Sequence, residues 1–330
     1  YHTNLSIDSL LPSTREKLIS LFTADTTFIA RTGKRMDLAI TLPRTEWLTG
    51  LLVPQLQAIE LENFSGTYDS NADVIDLTID MPLLVYDSIR VKELHTTVKA
   101  ERAVLNGDIT IAHIQRDSLY IDGLEVKART DAGALITTLR VQPEDSTEQY
   151  LIGVVLRDVE KIRTLHVQEN LVLDHIKWEA DSTNLLHFDA EGMRAENFVL
   201  RSEDQRLELK TEPDALHVLL GKFRLATLTN LVSTMDSVPV ATGTIDGDVA
   251  IPRSENGLLK AAITINDLTT LGTPIGTLTL NADQRNSTTY DGSAKLSNSQ
   301  NKLDANTRIT TGENTAVRAE ADIDLGNISF

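Results

Sequence analysis

Apolar and polar residues alternate with a period of two along most of this chain, and nothing else limits its fold so strongly. The alternation runs through KRMDLAITL, DVIDLTID, SIRVKELHTTVKA, SLYIDGLEVKA, RLELKTE, LLKAAITIND, GTLTLNA and AVRAEADIDL. Successive side chains of a strand point to opposite faces, so each stretch predicts a strand with one apolar face. Many stretches reach ten residues or more, against a usual strand of about 5–6. Only 9 prolines interrupt 330 residues. Long strands in unbroken succession predict a mainly β protein built on one elongated antiparallel sheet, rather than a compact sandwich.

A second pattern is laid over the first. Writing h for an apolar residue, the unit h-x-h-x-x-h recurs as IELENF (Ile59, Leu61, Phe64), IRVKEL (Ile89, Val91, Leu94) and LYIDGLEV (Leu119, Ile121, Leu124, Val126). It returns as VVLRDV, LVLDHIKW, FDAEGM, ITINDL (Ile263, Ile265, Leu268) and IDLGNISF (Ile323, Leu325, Ile328, Phe330). Two polar residues between apolar ones slip the alternation by one step, and a bulge or kink absorbs that step. Kinks at similar places in successive strands predict a sheet creased lengthwise into a trough with an apolar inner side.

VATGTIDGDVAIP, residues 240–252, sets a local signal against the period. Asp246-Gly247 is a hairpin-turn dipeptide. Yet Ala241, Gly243, Ile245, Gly247, Val249 and Ile251 share one phase, with Thr242, Thr244, Asp246 and Asp248 on the other. Either the chain turns at Asp246-Gly247, or one strand runs through and its glycines leave room on the apolar side. The residues leave both readings open.

Helical spacing occurs at 10–22, with a Ser13/Glu16 capping box, at 44–52, and at 223–235, where Leu225, Leu228, Leu231, Val232 and Met235 form a stripe. These segments are expected to dock on the sheet. The expected organisation is a helix–strand–helix entry segment over 1–56, a long-strand region over 57–222, and a helix with continuing sheet over 223–330, all one architecture. The chain opens YHTNLS, without an initiator Met, and is read as part of something longer.

The net charge of −17 argues against a nucleic-acid partner, because no basic stripe neutralises phosphates. With 0 cysteines there is no thiol chemistry and no disulfide frame. The seven histidines, His166, His175 and His187 among them, match no metal spacing and most are expected on exposed strands, and Glu203-Asp204 reads as a solvated turn. Gly33-Lys34 lacks the rest of a phosphate loop. DSNADVIDLTID (69–80) sets Asp69, Asn71, Asp73 and Asp80 at calcium-loop positions, but Val74 stands where the glycine belongs, so a polar hairpin tip is preferred. No enzyme activity, cofactor or metal is expected.

The h-x-h-x-x-h units, the helix followed by a glycine-spaced strand (LATLTNLVSTMDSVPVATGTIDGDVAIP), its weaker copy at 47–70 and the ADIDLGNISF ending resemble the TamB/AsmA-like family of large envelope proteins of diderm bacteria. The resemblance implies a β-taco, a sheet folded lengthwise around a hydrophobic groove, with a few short amphipathic helices. It also implies a periplasmic location and an inner-membrane anchor outside this chain. Its implied partners are phospholipid acyl chains and an outer-membrane barrel protein of the assembly-factor type. The implied function is carriage of phospholipids between the two membranes. The alternatives are a scaffold for outer-membrane protein assembly and a structural or adhesive β-rich surface protein; aromatic content of 5% argues against adhesion. The expected groove lining is Ala241, Gly243, Ile245, Gly247, Val249, Ile251, Ile263, Ile265, Ile323 and Leu325. Residues 71–222 follow the pattern less regularly, so a continuous groove is not expected from them with the same force.

Overall fold

The computed structural model describes residues 2–3, 35–42, 55–69, 71–101, 104–117, 119–143, 147–159, 162–189, 192–230, 233–234, 239–253, 257–298, 302–311 and 317–326. The described chain is mainly β and antiparallel, as the alternation predicts. It divides into two units, Tyr1–His175 and Ile176–Phe330.

In the first unit the strands are β1 (His2–Thr3), β2 (Arg35–Leu42), β3 (Leu56–Asp69), β4 (Val74–Tyr86), β5 (Ile89–Glu101), β6 (Val104–Arg116), β7 (Leu119–Asp131), β8 (Ala134–Val141), β9 (Tyr150–Val159), β10 (Ile162–Val167) and β11 (Leu171–Leu173). From β2 to β10 each pairs antiparallel with the next, and β11 returns to β9. Two-residue connections join β4 to β5 and β6 to β7, and Asp87 (φ 52) and Asp117 (φ 55) supply the left-handed residue such tight turns need. Directly paired residues share a face. Ile40, Phe64, Ile79, Thr96, Ile109, Val126, Leu139 and Ile152 therefore form one row across eight strands. The neighbouring row on the other face reads Ser65, Thr78, Thr97, Asp108, Lys127 and Thr138. One face is apolar and the other polar. Ala100 and Leu105 are buried on the apolar face, with Ile75, Val98 and Leu135 packed on them.

A break in the ladder crosses β3 to β7. Pairing stops at Glu60–Leu83 and resumes at Asn63–Asp80; it skips Pro82 opposite Glu93, Glu93 opposite Ala112, and Ala112 opposite Gly123. Both partners skip the same number of residues, so register is kept while every strand slips its alternation by one. Ile89 and Val91 lie on the apolar face before the break, and Leu94, Thr96 and Val98 lie on it afterwards. Glu93 (φ 53) and Gly123 (φ 64) take the slip in the left-handed region, and Pro82 has no N–H to leave unpaired. The x-x pair of IELENF, IRVKEL and LYIDGLEV falls on this line.

The second unit contains β12 (Ile176–Ala180), β13 (Leu185–Asp189), β14 (Gly192–Glu196), β15 (Phe198–Ser202), β16 (Gln205–Thr211), β17 (Ala215–Arg224), the helical turn α1 (Ala226–Thr229), β18 (Ser233–Thr234), β19 (Ala241–Pro252), β20 (Lys260–Thr270), β21 (Thr273–Asn286), β22 (Thr289–Ser297), β23 (Lys302–Thr311) and β24 (Val317–Gly326). The order β12–β15–β16–β17–β19–β20–β21–β22–β23–β24 is antiparallel throughout, and β13 pairs antiparallel with β14.

Two sequence expectations need correction here. The helix expected over 223–235 is confined, among the described residues, to Ala226–Thr229. Phe223 and Arg224 stay in β17, and the Leu225 N–H continues the ladder by donating to Gly243 O at 2.9 Å. Leu228 is 60% exposed, so the helical stripe does not dock through it. FDAEGM is no kink either: Asp189 pairs with Gly192, so its middle residues connect a hairpin. The helices expected at 10–22 and 44–52 lie outside the described residues, as do the last residues of IDLGNISF.

Gly123 carries the sharpest test of the break. A Cβ built there would stand 1.9 Å from Gln142 O, and the left-handed backbone adds its own penalty. Gly123→Ala is expected to cost more in urea unfolding than an alanine at Gly133, which is also left-handed (φ 73) but has open space around it, so that only the backbone penalty of about 1–2 kcal/mol applies there.

Candidate functional site

The apolar face of the second unit collects the residues that sequence reasoning singled out. Ile245 pairs with Ile265, which pairs with Leu278, then Leu296, Leu303 and Leu325. The next row runs Gly247, Ile263, Leu280, Ala294, Ala305 and Ile323. A third runs Val249, Ala261, Ala282 and Gly292. On the other side Val249, Gly247 and Ile245 meet Val218, Leu220 and Phe223 of β17, and Ile251 meets Leu216. Ala241 pairs with Thr270 at the strand's start. For Ile323 and Leu325 only the backbone register is described. The intervening polar row reads Asp246, Thr264, Thr279, Lys295 and Asp304.

Coverage of this face is uneven. Trp178, Gln205, Phe223 and Ile245 are all under 8% exposed, and the Trp178 and Phe223 rings meet at 5.5 Å. Ile245 is thus a core residue rather than an open one. From Lys260 to Thr310 no described residue is buried, so Ile263, Ile265, Leu278, Leu280, Leu296 and Leu303 keep part of their surface exposed. Those four leucines of β21–β23 were missed by the sequence reading. GTLTLNA showed the alternation, but nothing local ties LTL to ITI; only the register of β20 with β21 does.

Asp246-Gly247 lies inside β19, paired on both sides, so the turn reading is overturned. The reason is a pair of bulges. In β17, Gly221-Lys222 bulge opposite Asp246, with Lys222 left-handed (φ 46). In β20, Asp267 (φ 50) is the extra residue, at the x-x pair of ITINDL. Asp246 ties the two together: its Oδ1 accepts the Lys222 backbone N–H at 2.9 Å and its Oδ2 accepts Asn266 Nδ2 at 3.3 Å. Gln205 Oε1 accepts the Arg224 N–H at 2.9 Å on the far side of the first bulge. An aspartate that would cap a turn here supplies the acceptor that a distorted ladder lacks.

The two glycines differ in their demands. Gly243 (φ 142), opposite the β20 bulge, would place a Cβ 2.7 Å from Asn266 O. Gly247 has no positive φ, and a Cβ there would lie 3.3 Å from Ala262 O and from Ile263 Cγ1. The turn model assigned the special backbone to Gly247; the structure assigns it to Gly243.

The remaining candidates resolve into local structure. Asp69 closes the β3–β4 hairpin by accepting the Ala72 N–H at 3.1 Å and the Asn71 N–H at 2.8 Å, which hold its carboxyl below the usual range. Asp80 lies far up β4, hydrogen-bonded to His95 and Asn63, so the calcium-loop spacing does not converge. Among the described residues no group of His, Asp and Glu side chains could hold a metal. Glu203 and Asp204 do form a turn, but pair with Arg224 and Lys222 respectively. VVLRDV is a regular strand running into the β9–β10 hairpin, and LVLDHIKW divides between β11 and β12 at Asp174 and His175, both left-handed. On the polar face Arg308 and Arg285 hold the Asp291 carboxyl at about 2. No helix among the described residues is long and apolar enough to cross a membrane.

Two measurements follow from this geometry. Gly243→Ala should lower the urea midpoint more than Gly247→Ala, by about 1–3 kcal/mol in unfolding free energy; the reverse order would restore the turn. Asp291 is protonated at lower pH when folded than its ordinary 3.8. Its stabilisation is therefore complete above about 4 and fades as pH falls towards about 2. Asp291→Asn should flatten the acid-unfolding curve in that window and leave its slope near pH 7 unchanged. No protein-family model, curated protein or solved structure matches the chain.

Proposed function

We propose that this chain is a segment of a periplasm-spanning bridge that carries phospholipids along an apolar sheet face, in support of outer-membrane biogenesis. The observation that carries the reading is the run of cross-strand rows from β19 to β24, apolar on one face and only partly covered over the described side chains of β20–β23. Five strand spacings of about 4.8 Å make such a row about 24 Å long, on the scale of an acyl chain.

The physics favours rows over a pocket. Burying a CH₂ is worth about 0.8 kcal/mol, so exposing a chain of about 16 carbons to water costs on the order of 13 kcal/mol. A cargo that must move needs this cost removed evenly, by many similar contacts and no deep minimum. Ile, Leu, Val, Ala and Gly in repeated rows meet that need. The aligned slip across β3–β7 and the bulges at Lys222 and Asp267 support the crease that a trough requires, since bulges bend and twist the strands that carry them.

The test is photo-crosslinking in cells that supply the chain's natural surroundings. A photoreactive residue at Ile265 or Leu280 should capture acyl chains, identified by mass spectrometry of organic extracts, whereas one at Thr264 or Thr279 on the opposite face should capture few. Equal capture from both faces, or none from either, removes the proposal.

A further inference from the structure

Six serines stand in one triplet, Asp-Ser followed by Leu, Ile, Val or Thr: Ser9, Ser88, Ser118, Ser146, Ser182 and Ser237. Where these triplets are described, their backbones differ. Asp87-Ser88 makes the two-residue turn between β4 and β5, with Asp87 left-handed (φ 52), and Asp117 is left-handed (φ 55) between β6 and β7. Asp181, between β12 and β13, has no positive φ; its Oδ1 accepts the Thr183 N–H at 2.9 Å and the Thr183 hydroxyl at 2.7 Å. Turn chemistry does not demand the triplet. Two other two-residue turns of this chain are Ala132-Gly133 and Leu271-Gly272, with the glycine such turns favour. What the described triplets share is access. Ile89 and Leu119 are 39% and 38% exposed, apolar side chains left in solvent at the third position. Asp87, Asp117, Ser182 and Thr183 are exposed, and Ser88 is half-buried. A short sequence that recurs over different backbones, with its side chains accessible, suits a reader outside the chain better than a need of the fold.

We propose that these serines are O-glycosylation sites, recognised through the aspartate before and the aliphatic or threonine residue after. The proposal rests on the periplasmic reading above, because it needs a lipid-linked sugar phosphate and a transferase on that side of the membrane. The serine Oγ attacks the anomeric carbon of the sugar. The bond from that carbon to the carrier's phosphate breaks, the phosphate leaves with the electron pair, and the serine proton passes to a base of the transferase. Phosphorylation of the same hydroxyl is disfavoured, since a carboxylate lies one residue away and like charges repel. A sugar adds bulk and hydrogen-bonding groups to the surface without that repulsion. Ser88 and Ser182 lie in connections between strands, so the bulk is added outside the hydrogen-bond ladder.

The test isolates the chain from the cells that make it and reads its peptides by electron-transfer mass spectrometry, which leaves O-linked sugars in place. Peptides carrying Ser88 and Ser182 should show a sugar mass that β-elimination removes. Two serines serve as internal controls and should carry none. Ser202 is 6% exposed and donates its hydroxyl to Lys177 O at 2.7 Å, and Ser70, in Asp69-Ser70-Asn71, lacks the third residue of the triplet. Asp87→Asn and Asp181→Asn keep the side-chain size, an Oδ1 acceptor and tolerance of the left-handed backbone. Each should abolish the sugar at its own serine, leave the other serine modified and leave the urea midpoint unchanged. Bare serines, phosphate in place of sugar, or modification that survives both aspartate changes overturns the proposal. Acyl capture at Ile265 is measured alongside: capture by a chain with bare serines removes the sugar sites alone, and a chain that shows neither removes the lipid reading as well.

Discussion

An antiparallel sheet has to satisfy two repeats with one backbone. The hydrogen-bond ladder demands that partners keep count, and the single apolar face demands that side chains keep phase. A slip in phase along one strand would turn every later side chain to the wrong face. The chain avoids this in two ways. Across β3–β7 all five strands slip at the same level, so count and phase survive together. At β17 and β20 single strands slip alone and count is lost locally, and at β17 side chains make up the missing hydrogen bonds. The one-sided distribution of apolar residues depends on these repairs.

The repairs explain which residue types stand at the irregular positions. Glu93, Lys222 and Asp267 adopt a backbone that ordinarily favours glycine, and each lies where the ladder is interrupted or bulged. Their neighbours restrain them. Lys222 is held through its N–H by Asp246 and through its ammonium by Asp204, and Arg224 reaches Glu203. The exposed ion pairs add little energy, whereas the backbone N–H to carboxylate bond answers a requirement that water alone meets less well. Part of the large acidic surplus is thus structural. Asp69 closes a hairpin, Asp246 bridges two bulges and Asp291 gathers two arginines.

Much of this was legible in the sequence, because strand phase is a local property. Ile245, Gly247, Val249, Ile263 and Ile265 could be assigned to one face by counting in twos, and the x-x pairs of IRVKEL, LYIDGLEV and ITINDL mark real slips. The same unit misleads where it coincides with a break between strands, as in FDAEGM and LVLDHIKW, because a two-residue connection and a one-residue slip leave the same spacing. Pairing is not local. Nothing in ATGTIDGD announces that Lys222, two dozen residues earlier, needs an acceptor, so a hairpin dipeptide could not be told from a clamp. The burial of Ile245 was equally hidden, since its cross-strand partner Phe223, which packs on Trp178, comes from another strand.

The clamp at Asp246 also bears on how the protein ages. Among aspartyl dipeptides, one followed by glycine is the most prone to cyclise, because the unhindered glycine nitrogen can attack the side-chain carboxyl and expel water; hydrolysis of the resulting succinimide leaves an isoaspartyl kink. Attack needs the carboxyl to swing back over its own following peptide. Here Asp246 sits in a strand paired on both sides, with one carboxyl oxygen on the Lys222 N–H and the other on Asn266. Folded molecules are thereby shielded, while a chain whose β17–β19–β20 ladder has opened is not. Isoaspartate at position 246 would accumulate as a chemical record of the time this ladder spends apart.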